Sequence, residues 1–281
     1  MIAATGPRIV IRSREDFMVG VARAIAGALI FSLPMIMTME MWQLGFVMDP
    51  LRLGLLLLVV VPALVGLSRY GGFRSTVCLR DDIADALVGV AVAFVTALSI
   101  LWVFGQLTGE MSTREMVGKV ALQMVPGSIG ALLAQNQLGG GKGKEKRRKS
   151  NPSYWGELFL MGVGAVFLSL NIAPTEEVEL IAYSMSPFQQ VILIVASLIL
   201  MHAFVYLVEF QGSHSRKPEE TFWGVFLRFT VAGYAVVLMV SLFLLWVFAR
   251  TDENGLQIIL IMAVVLSFPG AIGAAVARLA L

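Results

Sequence analysis

The chain has 281 residues, of which 58% are hydrophobic and only 14% charged, and its mean hydropathy is +0.82. No water-soluble domain can bury that much apolar surface, so the composition excludes a soluble class and places the chain in a bilayer. The net charge of +2 is small, and the distribution of the positive residues says more than their number.

The first sixteen residues mix polar and charged types, with Arg8, Arg12 and Arg14 among them. The apolar run that follows is too long for the core of a cleaved signal, so it reads as a retained helix. Eight apolar runs follow in chain order, at roughly 18–39, 51–68, 83–106, 114–136, 155–173, 187–209, 222–249 and 255–279. Continuous runs of about 20 residues suit helices crossing a hydrocarbon core about 30 Å thick. A barrel would instead show alternating segments of about ten. The fourth run starts among Arg114, Glu115 and Lys119 and holds Pro126 in its middle. The seventh is long and predicts a tilt. The single cysteine, Cys78, rules out an internal disulfide.

Every second loop is basic. Arg69, Arg74 and Arg80 follow run two, GGGKGKEKRRKS follows run four, and Arg216 and Lys217 follow run six. Cytoplasmic segments carry such an excess. The alternation predicts eight spans with both termini in the cytoplasm of a bacterium's inner membrane.

The chain then repeats itself. Gly27-Ala28 matches Gly164-Ala165, Ser32-Leu33 matches Ser169-Leu170, Thr38 matches Thr175, Glu40 matches Glu177 and Pro50 matches Pro187, all at an offset of 137. LWVF at 101–104 recurs at 245–248, and PGSIGA at 126–131 recurs as PGAIGA at 269–274. The expected fold is all-α, a polytopic membrane protein of eight transmembrane helices built as two parallel four-helix repeats. An N-terminal arm (1–17), a first repeat (18–136), a basic connector (137–154) and a second repeat (155–281) divide it.

Three groups of residues are candidate sites. Glu40 and Glu177 close the first run of each half, with Ser32, Thr38, Ser169 and Thr175 nearby as oxygen donors. They read either as ordinary interfacial carboxylates or as an ion-binding pair at one outer mouth. Pro126, Gly127 and Gly130, with Pro269, Gly270 and Gly273, read as packing kinks or as pore-shaping breaks. Lys142, Lys144, Lys146, Arg147, Arg148 and Lys149 in the connector are a topology signal that also favours anionic lipid at the cytoplasmic face. Lys119 is expected to reach outward or to pair with Glu115 at i,i+4. His202, alone in its run, is expected against a hydroxyl rather than a metal. The five tryptophans sit near run ends, as interfacial anchors do.

No metal-protease, phosphate-loop or nucleophile-elbow motif occurs, so no enzyme activity, cofactor or nucleic-acid partner is expected. A lipid enzyme would need acids gathered at the inner surface, where Asp81, Asp82 and Asp85 are candidates. The stretch GALIFSLPMIMTMEMWQLGF resembles a family of bacterial integral membrane proteins of unknown function. That resemblance implies a class and no mechanism. The leading expectation is passage of a small inorganic ion, cations favoured, by a channel or an ion-coupled transporter, with room for a homo-oligomer. The alternative is a membrane sensor or assembly partner that acts through the basic connector. Which ion, and whether a metal, the residues leave open.

Overall fold

The computed structural model describes residues 14–71, 79–137, 153–206 and 222–280. The connector bases at 142–149 lie outside the described residues. All regular structure among the described residues is helical. The first half comprises α1 (Arg14–Ile36), α2 (Met39–Val47), α3 (Pro50–Gly71), α4 (Leu79–Val103) and α5 (Thr113–Gln137). The second comprises α6 (Tyr154–Leu170), α7 (Glu177–Ser184), α8 (Pro187–Tyr206), α9 (Phe222–Val225), a π-helical segment (Phe226–Val231), α10 (Ala232–Val247) and α11 (Leu256–Ala280).

Six of these helical segments are long and apolar enough to cross a membrane: Met18–Ile36, Pro50–Arg69, Leu79–Val103, Thr113–Ala134, Phe226–Val247 and Leu256–Ala277. The runs expected at 155–173 and 187–209 give shorter apolar helices, Tyr154–Leu170 and Pro187–Ala203. The expected first span also ends early. Pro34 sits in its last turn, and Thr38 is extended (φ −97°, ψ 139°), so the chain breaks before α2. Two side chains close the break. Thr38 Oγ1 donates to the Met35 carbonyl at 2.9 Å and Trp42 Nε1 to the Ile36 carbonyl at 2.7 Å. The second half breaks by other means. α6 stops at Leu170, Asn171 Nδ2 bonds back to the Phe167 carbonyl at 2.8 Å, and Pro174 precedes α7. Both short helices occupy stretches expected as loops.

Large apolar side chains cover the outside of the bundle. Leu58 on α3, Val95 on α4, Ile199 on α8 and Met239 on α10 are each at least 60% exposed. Such a surface suits lipid and not water.

Inside, small residues set the crossings. A Cβ on Gly27 would strike the Gly130 carbonyl oxygen, and one on Gly130 would strike that of Gly27. α1 and α5 therefore meet backbone to backbone. α6 and α11 meet the same way, through Gly164 and Gly273. Gly127 packs between Ala93 and Ala28, and Gly270 packs among Ser169, Val237 and Ala165. In a bilayer, where burial gives little drive between helices, this close approach supplies dispersion contact. One core cluster draws on both halves, including Leu56, Val60 and Leu64 of α3, Leu122 of α5, Leu160 of α6 and Leu244 of α10. Phe31 and Phe167 stack across the halves with centroids 4.1 Å apart.

α4 and α10 end alike. Gly105 (φ 69°) and Ala249 (φ 62°) both take the left-handed conformation. Gly105 N–H bonds to the Trp102 carbonyl and Gln106 N–H to that of Leu101. Ala249 N–H bonds to Trp246 and Arg250 N–H to Leu245 in the same pattern, a Schellman end. Glycine adopts that conformation freely, whereas alanine strains. Ala249→Gly is therefore expected to stabilise the protein by about 0.5–1 kcal/mol and Gly105→Ala to cost a similar amount. Thermal unfolding in detergent measures both.

Candidate functional site

The ends of α1, α4, α6 and α10 lie at one end of the bundle with α2 and α7. Arg52 at the start of α3 reaches Asp252, between α10 and α11, at 2.9 Å and lies over the Trp246 ring at 5.2 Å. The pair is partly exposed, so it registers the halves more than it stabilises them.

The matched carboxylates are at this end. Glu40 is half-buried in the first turn of α2, and Glu177 is exposed as the first residue of α7. Each lies where a helix N-terminus favours a negative charge. The Thr175 hydroxyl, shared with the Ile172 carbonyl at 2.8 Å, holds the Glu177 carboxyl below the usual range; its own backbone N–H and the Arg250 charge add to this. Arg250 in turn donates to the Pro174 carbonyl, which fastens the α6–α7 turn to the end of α10. Asn254 completes that surface, donating to Glu179 at 3.2 Å and accepting from the Tyr183 hydroxyl at 2.9 Å.

The four expected oxygen donors spend their protons on backbone. Ser32 donates to the Ala28 carbonyl at 2.6 Å and Ser169 to the Leu266 carbonyl at 3.4 Å. Thr38 and Thr175 bond to carbonyls three residues back. Thr175 also shares its proton with the Glu177 carboxyl, so only lone pairs remain for a guest. Pro126 and Pro269 interrupt neither α5 nor α11, and Gly127, Gly130, Gly270 and Gly273 all serve helix contacts.

The most buried charged group near this end is Lys119, 4% exposed on α5. Its Nζ meets Glu115 Oε1 at 3.0 Å, the Gln106 carbonyl at 3.2 Å and Met111 Sδ at 3.7 Å. An ammonium has three donors, so this set saturates it. Gly45 of α2 lies directly on the Lys119 backbone and stem, and a Cβ there would collide with Lys119 Cγ. One turn further along α5 is Gln123, 1% exposed, with neither amide atom hydrogen-bonded among the described residues. Glu115, Lys119 and Gln123 thus form one stripe at i, i+4 and i+8. The matched residues on α11, at an offset of 143, are Ile258, Met262 and Leu266. Sequence reading noted Glu115 and Lys119 and missed Gln123. The signal was available, because that same offset sets the glutamine against a leucine.

The opposite end holds buried Asp82, Asp85 and Glu157. Asp82 and Asp85 stand in the first two turns of α4 and Glu157 in the first turn of α6. His202 Nδ1 lies 2.9 Å from Thr230 Oγ1, the hydroxyl partner expected for it. Thr230 belongs to the π-helical segment. A π turn leaves a carbonyl without its usual partner, and the Tyr154 hydroxyl donates to that of Arg228 at 3.0 Å. The Arg228 guanidinium lies 4.9 Å from the Tyr154 ring centroid. Among the described residues no three His, Cys, Asp or Glu side chains gather as a metal site.

Long apolar helices, a lipid-compatible exterior and, among the described residues, charges kept to loops, helix ends and interior contacts define an integral membrane protein. The chain belongs to the DUF2391 integral membrane protein family, a family of unknown function, whose model matches residues 20–281. No curated protein and no solved structure matches it.

Proposed function

We propose that the protein is built from two parallel four-helix repeats, crosses the membrane eight times and passes a small ion, with cations favoured. The repeat reading is supported by the two glycine crossings, the two Schellman ends and the two short helices, each pair falling at matched positions. The basic loops favour a bacterial inner membrane with both termini in the cytoplasm, the connector bases resting on anionic lipid.

One observation carries the transport reading. Buried charge and amide groups line up on α5, inside a helix that is otherwise apolar enough to span. Polar groups are costly at that depth, and they are retained in membrane proteins chiefly along ion or substrate pathways. Glu40 and Glu177, at the same end, add negative charge at the mouth and raise the local cation concentration.

Flux into proteoliposomes tests this, with K⁺, Na⁺, Ca²⁺, H⁺ and Cl⁻ screened at low ionic strength. Cation flux is expected above that of empty liposomes. The Glu40→Gln, Glu177→Gln double variant is expected to reduce it by roughly tenfold, the difference shrinking as salt screens the mouth. Wild-type flux no greater than that of empty liposomes would overturn the proposal.

A further inference from the structure

Gln123 is the one buried side chain on the α5 stripe whose chemistry is unmet. The packing of α5 fixes where it faces. Gly127 packs between Ala93 and Ala28, and Gly130 lies on Gly27, so these positions define the arc of α5 turned to α1. Gln123 falls within that arc, one turn before Gly127. Antiparallel to it, Ser32 falls one turn after Ala28 and so lies level with Gln123. The second half shows the same register directly, because Ser169, the match of Ser32, bonds to the carbonyl of Leu266, the match of Gln123.

Neither Gln123 Oε1 nor Nε2 has a partner among the described residues, and neither has surface open to water. A buried amide left this way costs about 1–3 kcal/mol. Packing does not require it, since leucine fills the matched place in the second half. The groups on offer are complementary to one kind of guest. The amide presents a donor and an acceptor, and Ser32 Oγ, its proton spent on Ala28, presents lone pairs. A bare cation would leave Nε2 unpaired, and an anion would face two acceptor oxygens. Water donates twice and accepts, which meets all three.

We infer that Gln123 and Ser32 form an internal hydration site between α1 and α5, beside their glycine crossing. The polar path then runs through the first half alone, from Glu115 past Lys119 to this site, while the second half keeps the same frame with Ile258, Met262 and Leu266 in those places. The site itself does not depend on the transport reading; its being part of a path does.

The test uses the full chain in proteoliposomes in a Cys78→Ser background. Gln123→Cys and Leu266→Cys, at matched depth, are compared for reaction with a membrane-impermeant methanethiosulfonate. Position 123 is expected to react at least about tenfold faster, because only a wetted thiol forms thiolate and meets the reagent. Equal rates overturn the inference. Gln123→Leu gives an independent arm. It is expected to keep or raise the unfolding temperature, and a marked fall would show that the amide already has a structural partner and would also overturn it. Fast labelling at 123 in a protein without ion flux would sink the transport reading and leave the hydration site standing.

Discussion

Gly130→Leu is expected to abolish the folded protein in detergent, and Gly273→Leu to do the same. At both positions a side chain has no free direction, since the first carbon already meets the carbonyl of the facing glycine, Gly27 or Gly164. α1 and α5 would have to move apart along their whole contact, which also opens the Gly127–Ala28 packing. Overpacking of a filled core costs about 1–3 kcal/mol, and a clash against two rigid backbones belongs at or above the top of that range. Gly54→Leu is the control. Nothing lies within 4 Å of a Cβ at Gly54, on the lipid-compatible side of α3, so that variant should unfold at or slightly above the wild-type temperature. A folded Gly130→Leu protein with unchanged stability would show that α1 and α5 do not cross at this pair.

Lys119→Met is expected to lower stability by about 2 kcal/mol, and adding Glu115→Ile to restore most of it. The single change leaves a carboxylate that is 20% exposed without its cation and strips a donor from the Gln106 carbonyl. Partial exposure lets Glu115 recover some hydration, so the loss falls below that of a fully buried pair. The double variant gives α5 the side chains that α11 carries at the matched positions, in a frame that already packs them. A double-mutant cycle on unfolding free energy reads the coupling. Additive losses would mean that the pair is not an energetic unit.

The sequence made the helices legible because lipid imposes one rule on every spanning segment, long apolar runs with satisfied backbones. The matched prolines Pro50 and Pro187 are the first residues of α3 and α8, where proline is favoured in a first helical turn. The short helices α2 and α7 were not legible. Met39–Val47 is as apolar as the run before it, and nothing in eight or nine residues separates a short helix from a loop. The break depends on the extended Thr38 and on two bonds local to the turn, from Thr38 and Trp42, which hydropathy does not register. Glu40 and Glu177 were found, but as ends of spans and not as first turns of separate helices. Gly27 and Gly130 were visible as landmarks, yet their contact joins residues far apart in the chain and only the fold reveals it. Gln123 was hidden for another reason. One amide hardly changes the hydropathy of a long apolar run, and its burial without a partner is a property of the packed bundle.

The measurement that bears most directly on the parallel-repeat architecture is the sidedness of matched turns. Single cysteines replace Gly109, between α4 and α5, and Glu253, between α10 and α11, in the Cys78→Ser background. Impermeant reagents are then applied from each face of the membrane. Both positions are predicted to label from the same face, an expectation that the Arg52–Asp252 contact and the two matching Schellman ends support. Labelling from opposite faces would contradict the proposed parallel arrangement and, with it, the proposed shared mouth of Glu40 and Glu177.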